Sequence, residues 1–112
     1  MKKLFLGALL LLSTLSFSQK SIHVLNRENP NIPGLILQED PTYTTVLLIR
    51  TTACTDITVK IYTVIGTEVT DFERLTNGID IKHLTAGVYI LQIIEGEKVD
   101  YRKLIYSPKT KT

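Results

Sequence analysis

The sequence has little of what a disulfide-stabilised or aromatic-rich domain would need. It contains no tryptophan, and Cys54 is its only cysteine. One cysteine cannot close an intramolecular disulfide, so the chain must be held together by the packing of its core. Cys54 lies among threonines near Asp56, and we expect it to be an ordinary loop residue; the alternative is a reactive or intermolecular thiol.

Long apolar runs are also scarce, and the one that exists lies at residues 4–12. It is shorter than the roughly 20 apolar residues that a helix needs to span a bilayer. The basic residues Lys2 and Lys3 precede it, and the small residues Ser16 and Ser18 follow it. This three-part pattern predicts a secretory signal peptide at residues 1–18 and an exported protein without a membrane-spanning segment.

The charge balance gives no sign of a nucleic-acid partner. The full chain has 13 Lys and Arg against 11 Asp and Glu, and removal of Lys2 and Lys3 with the signal peptide leaves 11 of each sign. Binding to a phosphate backbone needs clustered basic residues. The nearest group is Lys103, Lys109 and Lys111, which is too sparse, so we expect no nucleic-acid partner.

The residues that usually carry chemistry are missing or isolated. After residue 18 the only serines are Ser21 and Ser107, both near the ends of the chain. His23 and His83 stand far apart without the neighbouring Cys or His of a zinc site. The acidic pairs form no calcium-loop pattern, and there is no Gly-rich phosphate loop. We therefore expect no catalytic residue, no metal ligand and no cofactor.

After residue 19 the apolar positions alternate, or run on over short stretches, as they do in β-strands. Seven strands are predicted, at residues 35–38, 45–51, 56–65, 67–72, 78–81, 88–94 and 98–106. Strands this short with frequent turn signals are typical of a sandwich. The sequence thus predicts an all-β fold, an immunoglobulin-like antiparallel β-sandwich at residues 35–106. An extended lead-in at residues 19–34 precedes it, and a polar tail at residues 107–112 follows.

Alternation also predicts which side chains face the core. In the third strand we expect one buried face, formed by Ile57, Val59, Ile61 and Ile65, and one outward face, formed by Thr58, Lys60 and Tyr62. The strand at residues 88–94 is apolar on both faces and is predicted to be central. Turns are expected at Gly66, at Asn77-Gly78 and at Glu95-Gly96, where Gly96 supplies a positive φ for a tight hairpin.

The stretch before the central strand predicts a tyrosine corner. Leu84 is expected to enter the gap between the sheets, and the small residues Ala86 and Gly87 let the backbone turn sharply. Tyr89 then follows, with its phenol reaching back to an upstream backbone group. The alternative is that Tyr89 is an ordinary aromatic residue in a strand.

Three stretches together resemble a known family. They are "VKIYTVIGTEV" at residues 59–69, "IDIKHLTAGVYILQI" at residues 79–93 and "KVDYRKLIY" at residues 98–106. Their order and spacing are similar to those of the C-terminal sorting domain of the type IX secretion system. The matching positions are Ile61, Tyr62, Gly66, Val69, Ile79, Asp80, Leu84, Ala86, Gly87, Tyr89, Gly96 and Lys103, and Asn29-Pro30 resembles the start of the domain.

The resemblance implies a non-catalytic export tag. Such a domain is recognised by outer-membrane secretion machinery after crossing the periplasm, a sortase-like protease can remove it, and the product reaches the cell surface or the medium. Lys98, Arg102 and Lys103 are the expected recognition surface; the alternative is that they are the charged residues of a solvated edge strand. Another functional hypothesis is a free-standing secreted or periplasmic module that binds protein, or glycan through Tyr43, Tyr62, Tyr101 and Tyr106.

Overall fold

The computed structural model describes residues 21–53 and 56–108, and most of the alternating patterns in these ranges form β-strands joined by turns and loops. The predicted signal peptide, Cys54 and the last four residues of the polar tail lie outside these ranges. Nine strands follow in chain order: β1 (Ile22–Val24), β2 (Ile36–Glu39), β3 (Val46–Arg50), β4 (Thr58–Thr63), β5 (Glu68–Val69), β6 (Glu73–Leu75), β7 (Gly78–Asp80), β8 (Gly87–Glu95) and β9 (Lys98–Tyr106).

The strands form two antiparallel sheets. The five-stranded sheet has the order β1-β9-β8-β4-β5, and the four-stranded sheet has the order β2-β3-β7-β6. The predicted all-β sandwich is confirmed, with nine strands where the sequence predicts seven. The difference is β1, together with β6, which is separate from the strand predicted at residues 67–72. Strands of two or three residues are too short to show a period in the sequence.

The core lies between the two sheets and is made of branched aliphatic side chains. Ile61, Leu91 and Ile93 face it from the five-stranded sheet, and Leu47 and Ile79 face it from the four-stranded sheet, all fully buried. The prediction that the strand at residues 88–94 is central is confirmed, because β8 lies between β4 and β9. No helix in the described ranges is long and apolar enough to cross a membrane.

One core prediction for the third strand is wrong. Val59 and Ile61 are buried as expected, but Ile65 is 85% exposed. The strand β4 ends at Thr63, and Thr63 and Thr67 close the following turn through a backbone hydrogen bond of 2.8 Å. The alternation between buried and exposed side chains ends with the strand, so Ile65 lies in the exposed turn.

The segment before residue 35 packs closely on the sandwich. The strand β1 pairs with β9 in the register Ile22↔Tyr106, and the Ser107 N–H donates to the Ser21 carbonyl at 2.8 Å. Further along the segment, the side chain of Ile32 is completely buried. Residues 21–32 therefore close one side of the five-stranded sheet.

Glycine acts in two different ways in the hairpins. Gly96 has a φ of 63° and forms a two-residue turn with Glu97, one residue later than the predicted Glu95-Gly96, and Gly66 has a φ of 96° in the turn after β4. The turn expected at Asn77-Gly78 lies one residue earlier, since Leu75 pairs with Gly78 and the glycine belongs to β7. There a Cβ atom would collide with the backbone oxygen of Leu47 on β3.

Candidate recognition surface

The corner before β8 has the geometry expected of a tyrosine that ties a connection between sheets. The Tyr89 hydroxyl donates to the Thr85 carbonyl oxygen at 2.7 Å and lies 3.2 Å from the Thr85 hydroxyl. Tyr89 and Leu84 are both buried in the core. Leu84 N–H also donates to the Ile81 carbonyl at 3.0 Å, which tightens the turn. Through these contacts, Tyr89 and Leu84 stabilise the connection that leads into β8.

A charged cluster is centred on Asp100, which lies inside the sandwich near the start of β9, and includes Arg27, whose side chain is 53% exposed. Asp100 is fully buried and its Oδ2 accepts the backbone N–H of Ile32 at 2.7 Å. Its Oδ1 lies 3.2 Å from one guanidinium nitrogen of Arg102 and 3.2 Å from one of Arg27. Because a buried carboxylate needs charge-assisted partners, this cluster fixes the segment around Ile32 against β9.

The side chain of Arg102 is buried beside Asp100. It is 3% exposed, and one terminal nitrogen (Nη1) contacts both Asp100 and the Tyr101 carbonyl, the latter at 2.8 Å. Its Nε and Nη2 atoms are buried without a hydrogen-bond partner in residues 21–53 and 56–108. Such a side chain supports the interior and is not available to an external partner.

The three residues expected to form a recognition surface do not lie together. Lys103 is exposed on the outer side of the five-stranded sheet, Arg102 points into the sandwich, and Lys98 is exposed beside the Gly96 hairpin. Residues 102 and 103 are adjacent in a strand and must face opposite sides. The alternative, that these residues lie on an edge strand, does not agree with the sheet order, because β9 is paired on both sides, with β1 and β8.

The side of the five-stranded sheet that faces away from the core brings a different set of residues together, which we call the outer face. Its members share register across β4, β8 and β9: Lys60, Tyr62, Val88, Ile90, Gln92, Tyr101, Lys103 and Ile105. Of these, Tyr62, Tyr101 and Lys103 are candidate site residues that the sequence predicts. Sequence reasoning did not identify the eight residues as one group, although the apolar character of both sides of β8 was a signal.

A hydrogen-bonded row crosses the outer face. The Tyr62 hydroxyl donates to Gln92 Oε1 at 3.3 Å, and Gln92 Nε2 donates to the Tyr101 hydroxyl at 3.0 Å. The three side chains lie on three neighbouring strands, so the row orders the middle of the face. The other two tyrosines considered for glycan stacking lie elsewhere: Tyr43 is in an exposed loop, and Tyr106 is buried on β9.

Burial changes the acid–base behaviour of Tyr106. Desolvation raises the pKa of its hydroxyl above the usual 10.0, and the nearby Asp80 carboxylate and Tyr89 hydroxyl raise it further. The neutral phenol is thereby favoured in the folded protein. Both the burial and the raised pKa agree with a core position for Tyr106 at the end of β9.

The two histidines lie on different elements of the sandwich. His23 and His83 are both exposed, on β1 and in the turn after β7. Within residues 21–53 and 56–108 there is no group of three His, Cys, Asp or Glu side chains that could hold a metal ion. The polar row of the outer face offers hydrogen bonds and apolar contact, which is the chemistry of binding.

Comparison with known proteins identifies the family. The model of the secretion system C-terminal sorting domain matches residues 41–107, well over half of the chain. No curated protein and no solved structure matches the chain. The match contains β3 to β9, and with them the tyrosine corner and the whole outer face. The chain therefore belongs to the secretion system C-terminal sorting domain family, the type IX family that the sequence resemblance predicts.

Proposed function

We propose that residues 21–107 are a non-catalytic sorting tag that outer-membrane secretion machinery recognises as a folded β-sandwich. Membership in the sorting-domain family carries this proposal. Export of this kind leads to the cell surface or the medium, in keeping with the signal peptide predicted at residues 1–18. Removal of the tag by a sortase-like protease belongs to the same proposal.

The placement of the first and last residues of the sandwich supports a tag. Ser21 and Ser107 are hydrogen-bonded at 2.8 Å, so a polypeptide attached before β1 leaves the sandwich next to its C-terminal end. The β8–β9 hairpin at Gly96 lies at the opposite end of the sheet. A cargo joined before Ser21 would therefore leave the far end of the sandwich accessible to a receptor.

A reporter fusion tests this function. Residues 19–112 are placed behind a signal peptide and a fluorescent or enzymatic reporter, in a host with a type IX secretion system and in the same host without the translocon. We expect surface or extracellular reporter only when the translocon is present. Reporter that stays in the periplasm of both hosts would contradict the proposal. Mass spectrometry of both termini of the delivered protein shows whether the tag has been removed.

The second candidate is a free-standing secreted or periplasmic binding module for protein or glycan. The row formed by Tyr62, Gln92 and Tyr101 is the observation that favours it, because two tyrosines and an amide offer apolar area and hydrogen bonds together. In the reporter experiment this candidate predicts a periplasmic or freely secreted reporter that does not depend on the translocon.

A further inference from the structure

We propose that the outer face of the five-stranded sheet is the surface that the secretion machinery contacts, and that its partner there is a protein surface with an apolar centre and an acidic rim. This inference rests on the proposed sorting function and assigns that function to particular residues. The apolar content, the charge, the internal order and the position of the face in the chain support it.

The outer face is more apolar than its position requires. In an antiparallel sheet with one buried side, the other side usually carries polar residues. Here the outward positions of β8 include Val88 and Ile90, and Val88 pairs in register with Ile105 of β9. Val88 and Ile105 are each 37% exposed, and Tyr101 is 54% exposed. Contiguous apolar surface of this kind is typical of contact sites between proteins.

The charge on the face is mainly positive. Lys60 and Lys103 lie on the strands that flank β8, on opposite sides of Ile90 and Gln92. The acidic residue in register with this face is Glu68, on the two-residue edge strand β5. The two ion pairs of the described ranges both involve Asp100 inside the sandwich, so neither engages these lysines. A partner with carboxylates around an apolar patch would complement this arrangement.

Hydrogen bonds within the protein hold the side chains at the middle of the outer face in place without a partner. Gln92 is hydrogen-bonded on one side to Tyr62 and on the other side to Tyr101. These residues lie on β4, β8 and β9, the three inner strands of the sheet, each paired with two neighbours. Side chains that are already fixed lose less entropy on binding, which favours their use as contact residues.

The part of the chain shared with the family builds this face. All eight outer-face residues lie within the matched residues 41–107. The outside of the four-stranded sheet, by contrast, includes β2, which lies before residue 41. A receptor that serves many sorting domains must contact what they have in common, so the outer face is the better candidate of the two sheet surfaces.

The test compares two matched double variants in the reporter fusion. The first, Lys103→Glu with Ile105→Gln, changes the outer face. The control, Arg50→Glu with Ile36→Gln, makes the corresponding charge reversal and the same Ile→Gln change on the four-stranded sheet, where Ile36 pairs with Arg50 and is 45% exposed. We expect the first variant to lower translocon-dependent delivery about tenfold or more, and the control to stay within about twofold of wild type.

Other outcomes would overturn the proposal in distinguishable ways. Equal delivery of wild type and both variants, all requiring the translocon, would leave the sorting function standing and remove the outer face as the contact surface. Equal loss in both variants would also remove it. Wild-type reporter that ignores the translocon would contradict the sorting function, and this inference with it.

A photo-crosslinking residue at position 101 keeps the test decisive if the first variant fails to fold. In otherwise wild-type protein we expect crosslinks to a translocon component, and no such crosslinks from the same residue placed at position 36. Crosslinks at position 101 only to a second copy of the chain, only to glycan, or to nothing would overturn the proposal.

Discussion

The carboxylate of Asp100 accepts a hydrogen bond from the backbone N–H of Ile32, 68 residues earlier in the chain. Both residues are completely buried. This contact joins the segment that follows β1 to the beginning of β9, and Arg102 supplies the neighbouring positive charge at 3.2 Å. The N-terminal segment is therefore held by a specific polar anchor as well as by apolar packing.

Replacing Asp100 with Asn is expected to destabilise the sandwich by about 3 kcal/mol, because it leaves the Arg102 guanidinium buried without its counter-ion. That is a large part of the roughly 5–15 kcal/mol that holds a small domain together. Urea unfolding gives the free energy, and hydrogen exchange should show the Ile32 amide opening more than the core of β8. Glu97→Gln in the exposed hairpin is the control and should change stability by less than about 0.5 kcal/mol.

Removing the hydroxyl of Tyr89 tests the corner before β8. Tyr89→Phe keeps the ring in the core but deletes the 2.7 Å hydrogen bond to the Thr85 carbonyl. We expect the free energy of unfolding to fall by about 1–2 kcal/mol, the usual cost of a lost buried hydrogen bond. Tyr43→Phe, at a position that is 65% exposed, serves as the control. Identical denaturant midpoints for the two variants would rule out a stabilising corner.

Alanine substitutions at Gly78 and Gly66 distinguish the cost of a steric collision from the cost of backbone strain. Gly78→Ala pushes a methyl group against the Leu47 backbone oxygen, which cannot move without disturbing β3, and we expect a loss of about 2–3 kcal/mol. Gly66→Ala meets no neighbour within 4 Å and only strains a φ of 96°, so a loss of about 1 kcal/mol is expected. Thermal and urea unfolding should rank the variants in this order; the reverse order would contradict the close packing of β7 on β3.

Sequence periodicity is sufficient to predict the long strands and the buried side of β4. It predicts β8 as central and Val59 and Ile61 as core residues, because alternation is a local property of a strand. It fails for β1, which has three residues and is defined only by its pairing with β9. It fails as well for Ile65, because the apolar pattern of the sequence continues past Thr63, where β4 ends.

The same limit applies to the charged residues of β9. A local sequence pattern predicts charged residues to be at the surface. The residues around Asp100 and Arg102 give no indication that Asp100 contacts Ile32 and Arg27. The outer face could not be predicted from the sequence for a related reason. It joins residues of β4, β8 and β9 that come together only when the sheet order is known, although the double apolar character of β8 pointed to it.

The raised pKa of Tyr106 predicts how stability depends on high pH. Burial, the Asp80 carboxylate and the Tyr89 hydroxyl raise it in the folded state, whereas the unfolded chain keeps a value near 10.0. Below that value both states hold the proton, so this contribution to stability is fully present. Above it the unfolded state loses its proton first, and the free energy of unfolding falls until the pH reaches the folded-state pKa.

Urea unfolding of the wild type and Tyr106→Phe at about pH 8 and about pH 11 measures this effect. We expect the wild type to lose more stability than the variant between the two conditions, because phenylalanine has no proton to release. Tyr43→Phe, which removes an exposed tyrosine, should retain the full wild-type loss. Equal losses in the wild type and Tyr106→Phe would show that the alkaline transition belongs to other groups. Ultraviolet titration of tyrosinate in the folded protein should then find Tyr106 ionising with the exposed tyrosines.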